Sequence, residues 1–177
     1  MARQRGCRTV ALGRDGRLTS SDLRDRVLAG ITGTGVNVVD IGVCPTPLLY
    51  FALYTLPVDG GMMVTGSHNA AEYNGFKMCL EKTALHGEDI QELKRLIEAG
   101  AYASGSGTVS TASVMPFYLE YLKEHFVGVD GQGMHVVVDC GNGAASLVAK
   151  EALGQLGCRV TGLYLSLIHI SEPTRPY

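Results

Sequence analysis

Between Thr65 and Lys77 the chain concentrates side chains able to do chemistry, in the string Thr65-Gly66-Ser67-His68-Asn69-Ala70-Ala71-Glu72-Tyr73-Asn74-Gly75-Phe76-Lys77. Ser67 presents a hydroxyl in a glycine-flanked turn, where backbone N–H groups can face an anion. His68 and Lys77 can supply charge or protons, and Asn69 and Asn74 can orient neighbours through their amides. Serine beside histidine suggests a serine hydrolase, but the nucleophile elbow G-x-S-x-G needs glycine where Thr65 and Asn69 stand. Adjacent serine and histidine also seldom form the hydroxyl-to-imidazole bond that activates the nucleophile. Taken alone, a Gly-Ser-His tripeptide is no more than a polar turn.

The elements around this loop follow from periodicity. A β-branched run at 8–12 reads as a strand, followed by the loop Gly13-Arg14-Asp15-Gly16-Arg17. Ser20 or Ser21 can then cap a helix whose Leu23, Val27, Leu28 and Ile31 share a face, with Gly33 and Gly35 stopping it. A second strand at 36–41 leads to the turn Cys44-Pro45-Thr46-Pro47, and Pro47 is suited to begin a helix ending near 56. A third strand at 61–65 delivers the chain into the serine loop, and 76–80 is extended again. An amphipathic helix at 88–97, a short strand at 108–111 and a helix at 115–126 follow. Beyond a break at 128–133 come a strand at 135–139, the turn Gly141-Asn142-Gly143, a helix at 144–156 and a strand at 159–163. Alternation of this kind predicts a layered α/β fold, with a domain boundary between Phe126 and His135.

Composition narrows the function classes. The 177 residues carry 15 basic and 17 acidic side chains, scattered along the chain, so no basic face points to nucleic acid. No apolar run reaches the roughly 20 residues of a membrane helix, and the N-terminus lacks a signal-peptide core, so a cytoplasmic protein with no membrane partner is expected. Five cysteines, an odd number with no C-x-x-C pair, read as reduced and mostly buried thiols.

Four ordered segments together are more specific than any one of them. Thr65-Gly66-Ser67-His68-Asn69 with Tyr73-Asn74-Gly75-Phe76-Lys77, Gly13-Arg14-Asp15-Gly16-Arg17, Pro45-Thr46-Pro47, and Val136-Val137-Val138-Asp139-Cys140-Gly141-Asn142-Gly143 resemble the α-D-phosphohexomutase superfamily, in its phosphomannomutase/phosphoglucomutase branch. The resemblance implies an α/β fold: a three-layer α/β/α domain with a mixed sheet over 1–127, lacking its first segment, then the start of a second similar α/β domain over 128–164. It implies interconversion of hexose 1-phosphate and 6-phosphate, mannose or glucose, through a phosphoserine at Ser67 and a bisphosphate intermediate. Catalytic roles fall on Ser67, His68 and Lys77, with Lys77 the cation beside the transferring phosphate. Asn69, Arg14 and Arg17 join them as candidate phosphate-binding residues, although Asn69 is expected chiefly to shape the loop. For the two arginines a mainly structural role, such as pairing with Asp15, is favoured. Mg²⁺ is the implied cofactor, held here only through the Ser67 phosphate, because the chain contains no D-x-D sequence for the family's metal loop. The family carries two prolines where Ala70 and Ala71 stand, so a floppier loop is expected.

Without that metal loop, the sugar-recognition loop and the C-terminal phosphate loop, the chain as given is expected to lack mutase activity. Residues 165–177 read as the translation of a transposase adapter from a sequencing library and are set apart from the fold. The alternative function is a non-catalytic phosphate-ligand domain, resting on a turn with free N–H groups, or a dinucleotide-binding α/β domain, resting on Gly141-Asn142-Gly143-Ala144-Ala145-Ser146. That string lacks the third glycine and the acidic residue at the end of the next strand. His86, His125 and His135 are assigned no metal role, and Asp139 is expected to stabilise its turn.

Overall fold

A computed structural model describes residues 1–166, leaving most of the expected adapter-derived stretch, 165–177, outside the described residues. A single 3₁₀ turn, Arg3–Arg5, precedes β1 (Thr9–Arg14), α1 (Ser20–Gly33), β2 (Asn37–Val43), α2 (Thr46–Thr55) and β3 (Gly60–Val64). Next come β4 (Phe76–Leu80), β5 (Thr83–Ala84), α3 (Glu88–Glu98), β6 (Val109–Thr111) and α4 (Met115–His125). The last elements are β7 (His135–Asp139), a 3₁₀ turn at Ala144–Leu147, α5 (Ala149–Gln155) and β8 (Arg159–Leu163).

The first six strands form one mixed sheet in the order β5-β4-β3-β1-β2-β6. β1 pairs in parallel with β2 and β3, β6 in parallel with β2, and β4 runs antiparallel to β3. Side chains alternate across the central strand, as a pleated strand requires. Val10 and Leu12 face the side covered by Leu23, Val27, Leu28 and Ile31 of α1, whereas Ala11 faces Leu48, Leu49, Ala52 and Leu53 of α2. That alternation produces the expected three layers. Leu12, Leu48, Leu49 and Leu53 are fully buried, each contributing about 1.5–3 kcal/mol by leaving water. β7 and β8 form a separate parallel pair.

Two local expectations need correction, and one strand is an addition. The N-cap of α1 is Thr19, with no side-chain capping bond, and the buried Ser20 hydroxyl instead donates to Asp15 Oδ1 at 2.5 Å. A tertiary acceptor wins over the orphan helix N–H groups. The helix read at 144–156 is interrupted at Val148, whose φ of −123° lies outside the helical range. β5 was not foreseen, because a two-residue strand carries no periodicity. Its hairpin turn uses Glu81 and Lys82 at φ 49° and 66° without the usual Asn or Gly signal.

Candidate active site

β1, β2 and β3 run in parallel, so their carboxyl ends lie at one pole of the sheet. The chain leaves β1 to form β2 on one side of it and then crosses to form β3 on the other. The loops following β1 and β3 therefore diverge from a topological switch point, where open α/β sheets place their ligands. Ser67 belongs to the loop after β3, and Asp15 and Arg17 to the loop after β1.

The two loops are joined by a dense set of bonds. Asp15 Oδ1 accepts from the Arg17 backbone N–H at 3.1 Å and from the Ser20 hydroxyl, while Asp15 Oδ2 accepts from Arg17 Nε at 3.2 Å and from the Gly66 N–H at 3.3 Å. Arg17 Nη1 donates to the carbonyls of Ala70 at 2.6 Å and Tyr73 at 3.0 Å, and Nη2 to those of Ser67 at 3.2 Å and Asn69 at 2.8 Å. A guanidinium has five N–H donors, and all five are spent inside the protein. The Asp15 pairing open to Arg17 from sequence is present, and the rest of the guanidinium is bonded to the carbonyls of the serine loop.

Asn74 ties the far side of the loop to α1, its Nδ2 donating to Ser20 Oγ at 2.8 Å and Thr19 Oγ1 at 2.9 Å. The stem is a β-pair: Val64 lies opposite Phe76, and the Thr65 N–H donates to the Gly75 carbonyl at 2.9 Å. Gly66 is required by crowding, since a Cβ there would lie 2.6 Å from both Arg17 Nε and the Tyr73 carbonyl oxygen. Ala70, where the resembled family has a proline, offers its carbonyl to Arg17.

Ser67 sits exposed at the tip with φ 53°, a left-handed conformation that costs a residue with a Cβ about 1–2 kcal/mol. Its N–H donates to Thr65 Oγ1 at 3.0 Å, and its hydroxyl has no hydrogen-bond partner among the described residues. Strain held by surrounding bonds is a mark of functional turns. His68 and Asn69 are exposed beside it, and Asn69 contributes its backbone to the loop, with its N–H on the Gly66 carbonyl at 3.0 Å. Lys77 stands exposed at the start of β4 opposite Met63, and the guanidinium of Arg14, the last residue of β1, donates among the described residues only to the Asp15 carbonyl at 3.4 Å. These two keep cationic donors available at the pole where Arg17 does not.

Among the described residues no three His, Cys, Asp or Glu side chains converge as a metal site. Asp15, the carboxylate bonded to the loop, has both oxygens committed. The described side chains therefore do not fit Mg²⁺ by themselves.

Gly141-Asn142-Gly143 is not a dinucleotide cradle. The three N–H groups donate to Asp139 Oδ1, the Tyr164 carbonyl and the Cys140 carbonyl, and a single 3₁₀ turn follows in place of the helix whose N-terminus would face a pyrophosphate. Asp139 thus stabilises its turn as expected. His135 accepts from Arg159 at Nδ1 and contacts Thr161 Oγ1 through Nε2, so its proton belongs on Nε2.

The model of the phosphoglucomutase/phosphomannomutase alpha/beta/alpha domain I matches residues 1–104. The chain belongs to the phosphoglucomutase/phosphomannomutase family. A phosphomannomutase/phosphoglucomutase of Pseudomonas aeruginosa is 39% identical over 177 residues, covering 97% of this chain and 38% of that protein. A phosphoglucomutase of Neisseria meningitidis is 36% identical over 182 residues, covering 99% of this chain and 39% of its own length. The crystal structure of a phosphoglucomutase/phosphomannomutase family protein from Burkholderia thailandensis superimposes with TM-score 0.86 at 36% identity, covering 93% of this chain and 37% of that one. The chain thus spans under two-fifths of the length of these phosphoglucomutase/phosphomannomutase relatives. No helix among its described residues is long and apolar enough to cross a membrane.

Sequence reasoning missed Ser20 and Asn74 as a linked pair, and Gly66 as the residue that admits Arg17. The partners of Arg17 are backbone carbonyls, which every residue type carries, so no side-chain pattern could have announced them.

Proposed function

We propose that this chain carries the phosphoryl-accepting serine of a phosphohexomutase that interconverts hexose 1-phosphate and 6-phosphate, mannose or glucose, through a hexose 1,6-bisphosphate. The observation that carries this reading is Ser67: an exposed hydroxyl without an internal partner, on strained backbone, in a loop fixed from behind by Arg17 and Asp15. Phosphoryl transfer asks chiefly for position and charge neutralisation, and a fixed hydroxyl at the switch point supplies the first.

In the half-reaction a P–O bond forms between the bisphosphate phosphorus and Ser67 Oγ as the bond from that phosphorus to the sugar oxygen breaks. The serine proton ends on that sugar oxygen, leaving a hexose monophosphate; the reverse step, from the phosphoserine to the free hydroxyl of a hexose monophosphate phosphorylated at the opposite position, returns the proton to Ser67 Oγ, regenerates the bisphosphate and completes the interconversion. His68, next to Ser67, is suited to carrying the proton, and Lys77 and Arg14 to countering the phosphate charge. Bound Mg²⁺ would supply further neutralisation at the phosphate, with ligands drawn from beyond the described residues. Buried Cys7, Cys44 and Cys79 thiols suit a reducing compartment such as the cytoplasm. The relatives' names support both mannose and glucose phosphates as substrates.

Incubation with glucose 1,6-bisphosphate and Mg²⁺, followed by intact and peptide mass spectrometry, tests the assignment. One phosphoryl group on Ser67, absent from Ser67→Ala, is expected, with no net interconversion of hexose monophosphates by the 177-residue chain. Phosphoryl transfer to a different residue, or none, would overturn it.

A further inference from the structure

We propose that Arg17 is a positioning residue for phosphoryl transfer at Ser67: it sets the backbone that aims the serine hydroxyl and takes no part in binding substrate phosphate. The chemistry in this proposal rests on the phosphoserine reading, whereas the geometry stands without it.

Arg17 is held before it holds anything else. Its N–H and Nε both bond Asp15, its carbonyl accepts from the Ser20 N–H at 2.9 Å, and its side chain is 13% exposed. The guanidinium then reaches under the serine loop and gathers the carbonyls of Ser67, Asn69, Ala70 and Tyr73. Carbonyls drawn inward by one planar group fix the peptide planes on the C-terminal side of Ser67, and the plane before it is held by the Ser67 N–H donating to Thr65 Oγ1 and the Gly66 carbonyl accepting from the Asn69 N–H. The left-handed conformation at Ser67 lies between two pinned peptide planes, which gives the hydroxyl a defined origin and direction.

An arginine that bound a substrate phosphate would need donors to offer. Arg17 could do so only by releasing loop carbonyls, which would cost the serine its placement. Lysine cannot replace it, because three donors on one nitrogen cannot serve five acceptors arranged around a plane. Arg14 and Lys77 are the cations at this pole with donors to spare, so substrate charge and loop shape are handled by different residues.

Hydrogen exchange on the 177-residue chain tests the placement. In Arg17→Ala and Arg17→Lys the Thr65, Asn69 and Tyr73 amides should exchange at least roughly tenfold faster, while amides of α2 and β2 keep wild-type rates. Ethylguanidinium should restore protection in Arg17→Ala, and ethylammonium should not. Gly66→Ala, which keeps the cation but drives it from its seat, should show the same loop-confined change. Wild-type exchange in the loop of Arg17→Ala would overturn the proposal, as would loss of protection throughout the sheet in both Arg17→Ala and Gly66→Ala.

The initial rate of Ser67 phosphorylation by glucose 1,6-bisphosphate supplies the catalytic readout. Arg17→Ala should lower the maximal rate with the half-saturating concentration unchanged. A rise in half-saturating concentration matching the loss of rate would make Arg17 a substrate-binding group and overturn the proposal. If wild-type Ser67 accepts no phosphoryl group, the proposed function falls, and the exchange and rescue data alone decide whether Arg17 positions the loop.

Discussion

Replacing Asp15 by asparagine tests the site with almost no change of shape. The carboxylate accepts four hydrogen bonds, two per oxygen, from Arg17 N–H, the Ser20 hydroxyl, Arg17 Nε and the Gly66 N–H. An amide must turn its NH₂ toward one pair. Toward the Oδ2 position it meets two N–H donors and both bonds are lost. Toward the Oδ1 position it opposes the Arg17 N–H, and the Ser20 hydroxyl must become an acceptor although Asn74 already donates to it. The first orientation forfeits two bonds; the second forfeits the Arg17 N–H bond and reverses the Ser20 one, whose oxygen has a second lone pair to accept it, and both remove the charge of an acceptor whose side chain is 14% exposed. At about 1.5 kcal/mol or more for each bond to a charged group, the cost is roughly 1.5–3 kcal/mol, a substantial part of the usual stability of a domain. For a chain of this size that corresponds to a fall in Tm of about 3–12 °C. Asp25→Asn removes the same charge from an exposed carboxylate paired with Arg24, where a surface pair is worth about 0–1 kcal/mol. Urea melts and calorimetry of the two variants side by side measure the difference. Equal destabilisation by Asp15→Asn and Asp25→Asn would refute the reasoning, because it would mean that the joined loops contribute nothing beyond one surface charge.

Other expectations concern the scaffold. Burial, with a smaller contribution from Asp40, pushes the Cys44 thiol from 9.0 up to about 12, and burial with Asp59 pushes Cys7 up to about 11. Both folded values lie above the unfolded one, so this stability is intact below pH 9 and is lost as pH rises toward the folded values. For Cys44 the full loss is on the order of 4 kcal/mol. Urea midpoints from pH 8 to 10.5 should therefore fall less steeply in Cys44→Ala than in wild type, and identical slopes would contradict the assignment. Glu81→Asn should stabilise the β4–β5 hairpin by about 1 kcal/mol, because asparagine accepts the left-handed turn conformation, and an unchanged or lower urea midpoint would count against the strain argument. Leu49→Ala, at a fully buried position between α2 and the sheet, should cost about 2–5 kcal/mol by chemical denaturation, and a loss below 1 kcal/mol would place Leu49 outside the core.

Where hydrophobic periodicity was long enough, the sequence was a good guide. β4, β7 and β8 fall on their expected residues, and α3 and α4 differ only at one end; β-branched residues mark β7 and β8, and apolar spacing marks the two helices. Short or tertiary-dependent features were illegible. Thr83–Ala84 becomes a strand only because β4 is beside it, and Val148 interrupts a helical stretch without proline or glycine. At the site, side-chain identity revealed Ser67, His68 and Lys77 as chemically able, and the motif order revealed the family. Which of Arg14 and Arg17 lies beneath the loop carbonyls was closed to sequence, since backbone acceptors leave no side-chain pattern.

The inward carbonyls have a consequence for how such a loop can change over evolutionary time. Its stem is a paired β-ladder, and closing a loop on fixed ends costs only about 0.6 kcal/mol per doubling of length, so the sheet alone would tolerate insertions. Arg17 removes that freedom: the carbonyls it collects, from Ser67 to Tyr73, must all come within reach of one guanidinium. A residue inserted between 67 and 73 would throw part of the set out of phase. Substitutions at Ala70, Ala71 and Glu72 change side chains that face solvent and leave the carbonyl set in place. Variation in this loop should therefore arise by exchange of side chains at constant length, with ligand preference adjusted around a contour whose size is fixed by the span of a single arginine.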